Sequence, residues 1–333
     1  MPPHGDILMK MTPFRLTAVL ALLVSPAISA AADYPEHPIS MIVPFAAGGP
    51  TDVVARSLAN EMGKVLKQTV VVENKTGAGG TLAAGYVASS KPDGYTIFLH
   101  HTGMATAPAL YSKLRYDPLK SFEYIGEVVD VPMTLMARSD LPPNTFKEFV
   151  DYAKANGDKI NLANAGPGAV SQLCGSLLQQ AMGVKFTTVP FQGTGPAMTA
   201  LMGKQVDVLC DQTTQTLPHI AAGDLKFYGV TTPERLKQLP DAPTLDEQGL
   251  KGFDVKVWHG LYAAKGTSPE AIGKLNEALK VALKAPAFVD RMEKLGAQIV
   301  SEDRQTPESL QKWLQAEVAK WGPVLKAENI SVN

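Results

Sequence analysis

Ile39-Ser40-Met41-Ile42-Val43-Pro44-Phe45-Ala46-Ala47-Gly48-Gly49-Pro50-Thr51-Asp52 is the stretch that decides the fold. Its first five residues form a short apolar run between Pro38 and Pro44, which reads as a buried strand. The glycines and Pro50 read as a loop. Beyond them Val53, Val54, Leu58, Met62, Val65 and Leu66 recur at helical spacing. The order is strand, Gly-rich loop, helix, with Thr51 or Asp52 expected to cap the helix. The same order returns about 120 residues later, a spacing that fits two domains rather than a solenoid. Lys159 to Ala163 is the second strand, Asn164-Ala165-Gly166-Pro167-Gly168-Ala169 the loop, and Val170 to Met182 the helix.

A helix N-terminus presents unpaired N–H groups and roughly half a positive charge, and a glycine loop lets a ligand approach them. Two such units facing each other would hold a small anion from both sides. Neither loop contains Lys or Arg; the nearest are Arg56 and Lys159. Backbone amides, hydroxyls and water would then do the holding, which suits a carboxylate that must be released. Neither loop matches G-x-x-x-x-G-K-[ST] or G-x-G-x-x-G, so no nucleotide fingerprint is present.

Further strands are expected at Val70 to Val72, Tyr95 to His100, Val131 to Ala137, Lys185 to Val189, Val206 to Cys210 and Phe227 to Thr231. Helices are expected between them, as at Phe146 to Ala155. Two late helices begin at Ser268-Pro269-Glu270 and Thr306-Pro307-Glu308, each with a hydroxyl at the cap and Pro in the first turn. Trp313 and Trp321 read as packing residues of the second. Strands alternating with helices imply an α/β fold with mainly parallel sheets.

The balance of 31 Lys+Arg against 32 Asp+Glu in 333 residues leaves no basic footprint for nucleic acid or an acidic membrane. An apolar fraction of 45% excludes a disordered chain, and two cysteines exclude a disulfide scaffold or a four-thiolate zinc site. Lys10 and Arg15, the apolar run Leu16 to Val24, and Ala30-Ala31-Ala32 before Asp33 read as a secretory signal peptide over 1–32. The run is too short to span a bilayer, which takes ~20 apolar residues. An exported protein is expected.

The marks of an enzyme are missing. There is no G-x-S-x-G and no H-E-x-x-H. The six histidines are scattered, and the adjacent His100 and His101 would point to opposite faces of a strand, so no shared metal is expected. No nucleophile pairs with a base. The reading is of a protein with no catalytic residues, no cofactor and no metal.

The sequence resembles the tripartite tricarboxylate transporter receptors, the Bug solute-binding proteins. The resemblance is carried by Tyr34-Pro35, by Ile42 to Asp52, by Val72-Glu73-Asn74-Lys75-Thr76-Gly77-Ala78-Gly79-Gly80, and by Lys91-Pro92-Asp93-Gly94-Tyr95-Thr96. It continues through Asn164 to Gly168, Val189-Pro190-Phe191-Gln192-Gly193, Gln205-Val206-Asp207 and Gly260-Leu261-Tyr262-Ala263. It implies a type II periplasmic-binding-protein fold: two Rossmann-like lobes with a hinge and a ligand cleft between them. One lobe would comprise 33–131 plus 253–333 and the other 132–252, since the chain must cross twice. It implies capture of a small organic carboxylate by lobe closure and delivery to a permease with a large and a small membrane subunit, by a monomeric receptor. A sensor passing the closed form to a signalling receptor would need the same cleft.

The resemblance also names the loops that hold the carboxylate. From the first come Phe45, Ala46, Gly48, Gly49, Thr51 and Asp52; from the second, Asn164, Gly166, Gly168, Ala169 and Ser171. Ala169 stands where similar chains often carry a serine, with Ser171 as the substitute hydroxyl. His100-His101-Thr102 stands where many have Gly or Ser; an imidazole facing the cleft, with His101 and Thr102 the candidates, would tune the site toward an aromatic or heterocyclic acid as well as dicarboxylates, and a satisfied strand-end histidine is the other reading. Phe45 and Phe191 are candidates to sandwich a ring, with lobe packing as the other reading. Asp52, acidic beside an anion site, is read as organising its loop. Asp211 is expected at a strand end facing the cleft, placed to accept from a ligand donor or to cap a turn. Similar chains with this variant carry both cysteines, which implies a Cys174–Cys210 disulfide bracing the second lobe; two buried free thiols are the other reading.

Overall fold

The computed structural model describes residues 34–327, together with Met1 and Gly5. The expected signal peptide lies outside the described residues. In chain order the elements are β1 (Ile39–Val43), α1 (Pro50–Leu66), β2 (Val70–Asn74), α2 (Thr81–Ala88), β3 (Thr96–His101) and α3 (Gly103–Leu110). There follow β4 (Phe122–Arg138), α4 (Phe146–Asn156), β5 (Asn161–Asn164), α5 (Val170–Met182), β6 (Thr187–Pro190), α6 (Thr194–Met202), β7 (Val208–Gln212), α7 (Thr213–Ala222) and β8 (Leu225–Val230). The chain closes with β9 (Lys256–Ala264), α8 (Pro269–Lys284), α9 (Pro286–Lys294), β10 (Gln298–Ile299) and α10 (Pro307–Ala327).

The strands build two sheets of the same design. In the first, the order is β2-β1-β3-β9-β4, with β9 antiparallel between β3 and β4. In the second it is β6-β5-β7-β4-β8, with β4 antiparallel between β7 and β8. The 17-residue strand β4 belongs to both. It pairs with β9 as far as Pro132 opposite Lys256, and from Met133 opposite Gln212 it pairs with β7.

Only the second half of β4 was legible as a strand. Glu127 and Asp130 interrupt the apolar run, yet both are buried there. They are tolerated because Arg304 bonds both carboxylates, Asp130 at 2.9 Å, and Lys256 adds an ion pair to Asp130 at 3.6 Å. Charges can sit in a buried strand when each is paired. β9 went unread for a similar reason, since Trp258-His259-Gly260 interrupts its pattern. Gly260 is a packing necessity: a Cβ there would lie 2.7 Å from the Tyr262 hydroxyl and 2.9 Å from Leu310.

The first sheet is covered on both faces, and the strand pleat divides its residues between them. Met41, Val43, Ile97 and Leu99 pack with α1 and α8 through Val54, Leu58, Leu275 and Leu279. Ile42 and Phe98 pack on the opposite face with α2, α3 and α10. Trp321 lies in this second layer, and its indole N–H shares Glu317 Oε2 with that of Trp258, each at 3.0 Å. The second sheet is covered by α5 on one face and α6 on the other. A Cys174–Cys210 disulfide ties α5 to β7, with Cα atoms 6.2 Å apart.

Candidate functional site

The C-terminal ends of β1 and β5 point toward each other, so the two strand–loop–helix units meet. Phe45 of the first loop packs with Ala165 and Ala169 of the second; beside them the Ala46 N–H donates to the Gln192 carbonyl of the β6–α6 connection at 3.1 Å, and the hydroxyl of Tyr111, just after α3, to the Pro167 carbonyl at 2.5 Å. Glycine permits this approach at Gly168, where φ is +80° and a Cβ would lie 2.7 Å from the Tyr111 ring.

Between the loops lies a small cavity of about 20 Å³, room for about one water molecule and far below the roughly 300–1,000 Å³ usual for small-molecule sites, so a ligand enters only as the loops part. Phe45, Thr51, His101, Ala169, Ser171 and Asp211, all expected from the sequence, line it. A second hollow of about 150 Å³ adjoins it beyond Phe45, lined by Gly77–Gly80, Gly166 and Phe191. Larger hollows lie at the far end of α1 and between α5 and α10, away from the loops.

Four helices begin at the small cavity: α1, α5, α6 and α7. Their N-caps are Gly49, Ala169, Gly193 and Gln212, and none makes a side-chain cap. By contrast α4 and α8 are closed by Thr145 and Ser268. The expectation that Thr51 or Asp52 would cap α1 is corrected, since both lie inside its first turn. The cavity therefore collects several uncapped N-termini, each worth about half a positive charge. No Lys or Arg lines it.

The glycine-loop amides are occupied within their own loops. The Gly48 N–H donates to Asp52 Oδ2 at 2.9 Å, Gly166 to Asn164 Oδ1 at 2.8 Å, and Gly168 to Gln172 Oε1 at 2.6 Å. The Ala165 N–H donates to Ser171 Oγ at 2.7 Å. What a helix cannot satisfy internally is the N–H set of its first turn. The loops thus shape the cavity, and the helix starts supply the donors.

Asp52 is fully engaged. It also accepts from Arg56 at 2.8 and 3.0 Å and from Asn74 at 2.9 Å. Burial alone would raise its carboxyl, but Arg56, the Gly48 N–H and Asn74 outweigh burial and hold it below the usual range. Thr102 lies outside the cavity lining; its hydroxyl accepts the Trp258 N–H at 3.2 Å.

Three histidines stand behind the cavity. The ring of His101 stacks on Phe45 at 4.8 Å and lies 5.8 Å from that of His259. His259 Nε2 is 3.3 Å from the Thr51 hydroxyl. Burial pushes His100 and His101 well below the ordinary value, helped by neighbouring imidazoles, and brings His259 down to about 3. The Gly103 N–H donates to His101 Nδ1 at 3.0 Å, so neutral His101 carries its proton on Nε2. No His/Cys/Asp/Glu group able to hold a metal occurs among the described residues.

Asp211 is completely buried at the end of β7. Its Oδ1 accepts the Gln212 N–H at 2.8 Å, while Oδ2 has no partner. Burial raises the carboxyl to about 7, against the pull of the Gln212 N–H and of the nearby Thr194 hydroxyl, whose own proton goes to Gln215 Oε1 at 3.1 Å and so leaves Oδ2 unpartnered. Thr194, Gln212 and Met133 also line the cavity and were missed in the sequence. For Thr194 a signal existed: Gly193-Thr194-Gly195 follows a strand and precedes a helix, a third instance of the decisive pattern.

Residues 54–330 match the family model described as tripartite tricarboxylate transporter family receptor. A protein of Agrobacterium vitis, encoded in the TAR-I ttuE-ttuC' intergenic region, is 46% identical over 93% of this chain and 90% of its own. The structure of the periplasmic binding protein BugD is 52% identical, with a TM-score of 0.88 over 90% of this chain and 100% of that one. The structure of MatC from Rhodopseudomonas palustris with bound malate is 41% identical, with a TM-score of 0.85 over 88% and 100%. The protein has the two-lobed, hinged α/β fold of the type II periplasmic binding proteins, with its cavity in the cleft between lobes. It belongs to the tripartite tricarboxylate transporter receptor family, as a Bug-type solute-binding protein and not an enzyme.

Proposed function

We propose that this protein captures a small organic carboxylate in the periplasm by closing its two lobes, and delivers it to a tripartite tricarboxylate-type permease with a large and a small membrane subunit. The observation that carries this is the convergence of four uncapped helix N-termini on one small cavity. Such a site attracts an anion by fixed dipoles and releases it without breaking an ion pair. The malate in the Rhodopseudomonas protein makes a four-carbon dicarboxylate the first ligand to test.

The proposed lobes are 33–131 plus 253–333 and 132–252, with the chain crossing between them near 131/132 and near 252/253. The switch of β4 from one sheet to the other supports the first crossing. Closure follows from the ligand's preference for the form in which both lobes reach it. Among the described residues no helix is long and apolar enough to cross a membrane. Export would rest on the segment 1–32.

Calorimetric titration of the purified protein with malate, unsubstituted dicarboxylates and aromatic acids tests the binding step. Saturable binding of at least one acid, with their uncharged amides inactive, is expected. Failure of every acid overturns the reading. Uptake of the bound acid by cells with and without the permease tests delivery; undiminished uptake without it overturns that step.

A further inference from the structure

Asp211 is a carboxylate placed in a cavity built for anions. The four helix starts favour negative charge, yet the one ionisable acid lining the cavity would meet an acidic ligand with like charge. Its Oδ2 is buried, unpartnered and borders the ligand space. An unpaired buried carboxylate is costly, and a second anion beside it makes it costlier.

No nearby cation resolves the conflict. α1 brings Asp52, already paired with Arg56. β3 brings His101, with His259 of β9 behind it, and both are held neutral by burial. β4, β5, α5, α6 and α7 bring no other ionisable side chain to the cavity. A proton on Oδ2 removes the repulsion and turns the orphan acceptor into a donor.

We propose that Asp211 is a specificity-determining residue that takes up a proton from solvent as an acidic ligand enters, and donates from Oδ2 to a ligand carboxylate oxygen. The bound state then carries the ligand's full charge opposed by dipoles alone, with one proton gained from the buffer. This rests on the carboxylate-capture reading above. With the side chain buried as it is here, the raised value of about 7 leaves Asp211 about half protonated at neutral pH. In an open cleft, where water reaches it, the side chain would be ionised. The expected uptake at pH 7 is therefore about 0.5–1 proton per ligand.

The test is titration with malate at pH 7 in two buffers of different ionisation enthalpy, and again at pH 8. The expected result is uptake of at least about half a proton, with affinity falling about 3- to 10-fold from pH 7 to pH 8. Asp211→Asn keeps Oδ1 for the Gln212 N–H and places a permanent donor where the proton would sit. It should bind malate with no uptake and no change in affinity between pH 7 and pH 8. Wild-type binding whose heat is independent of buffer overturns the inference while leaving carboxylate capture standing, and so does persistent uptake by the Asn variant. If malate does not bind, the same two-buffer measurement is made on whichever acid of the panel does. Binding by no acid overturns both readings.

Discussion

Tyr111→Phe should weaken ligand binding about 2- to 6-fold. The phenol donates to the Pro167 carbonyl at 2.5 Å; on the proposed lobe division the bond spans the cleft and is expected to be lost when the lobes part. The substitution removes one hydroxyl and keeps the ring packed against Gly168. A neutral hydrogen bond is worth a net ~0.5–1.5 kcal/mol. The Pro167 carbonyl sits at the cleft rim, where water can replace the lost donor, so no large desolvation penalty is added. Loss of ~0.5–1 kcal/mol from the closed form alone converts to about a 2- to 6-fold rise in Kd. The change should appear in the dissociation rate, since the encounter precedes closure. Calorimetry gives the Kd, and stopped-flow tryptophan fluorescence gives the rates. An unchanged dissociation rate, or a loss confined to association, would refute the assignment of this bond to the closed state.

Replacing both Cys174 and Cys210 by Ser should cost about 2–4 kcal/mol, the range for a loop of this length, where the partners are 36 residues apart. Chemical denaturation of the variant, and of the wild type with and without reductant, checks it. Asp52→Asn should lower stability at neutral pH and leave it unchanged in acid. The folded carboxyl lies below its ordinary value, so its contribution is present above that value and disappears as pH falls through the folded one; denaturant midpoints across the acid range read this out. Glu127→Gln should flatten a pH dependence of the opposite sign. Burial raises Glu127 to about 7 despite Arg304, so wild-type stability declines as pH rises from about 4.5 to about 7. The same midpoints between pH 4 and pH 8 show whether that decline is lost.

How far the sequence reached depended on whether a residue's role was local. Strand β1 was read with its observed ends and α5 from Val170 to Met182, because apolar spacing and flanking Pro or Gly are local signals. Thr51 and Ser171 were expected at the cleft from the family resemblance of the two loops, and Asp211 from its place at a strand end. The first half of β4 was illegible because Glu127 and Asp130 make sense in a strand only beside Arg304, more than 170 residues away. The internal use of the Gly48, Gly166 and Gly168 amides was hidden too. Asp52, Asn164 and Gln172 each lie close by, but which acceptor takes which amide is decided by loop geometry that composition does not encode.

The absence of a cation from the cavity and the presence of Asp211 are two sides of one arrangement. An Arg or Lys opposite the ligand would form a buried ion pair, whose rupture on release leaves an uncompensated charge and costs several kcal/mol. Helix N-termini avoid this because their partial charges are fixed in the backbone and are already present when the cleft is empty. Fixed dipoles, however, attract any small anion of the right size. Discrimination then has to come from groups that make one anion better than another. In this cavity Asp211 is the group that can change charge near neutral pH, with His101 kept neutral by burial. A ligand whose carboxylate reaches Oδ2 is rewarded with a hydrogen bond, whereas an inorganic anion too small to span from the helix starts to β7 leaves that donor idle. Chloride and sulfate should therefore compete poorly with a dicarboxylate despite sharing its attraction to the four helix starts.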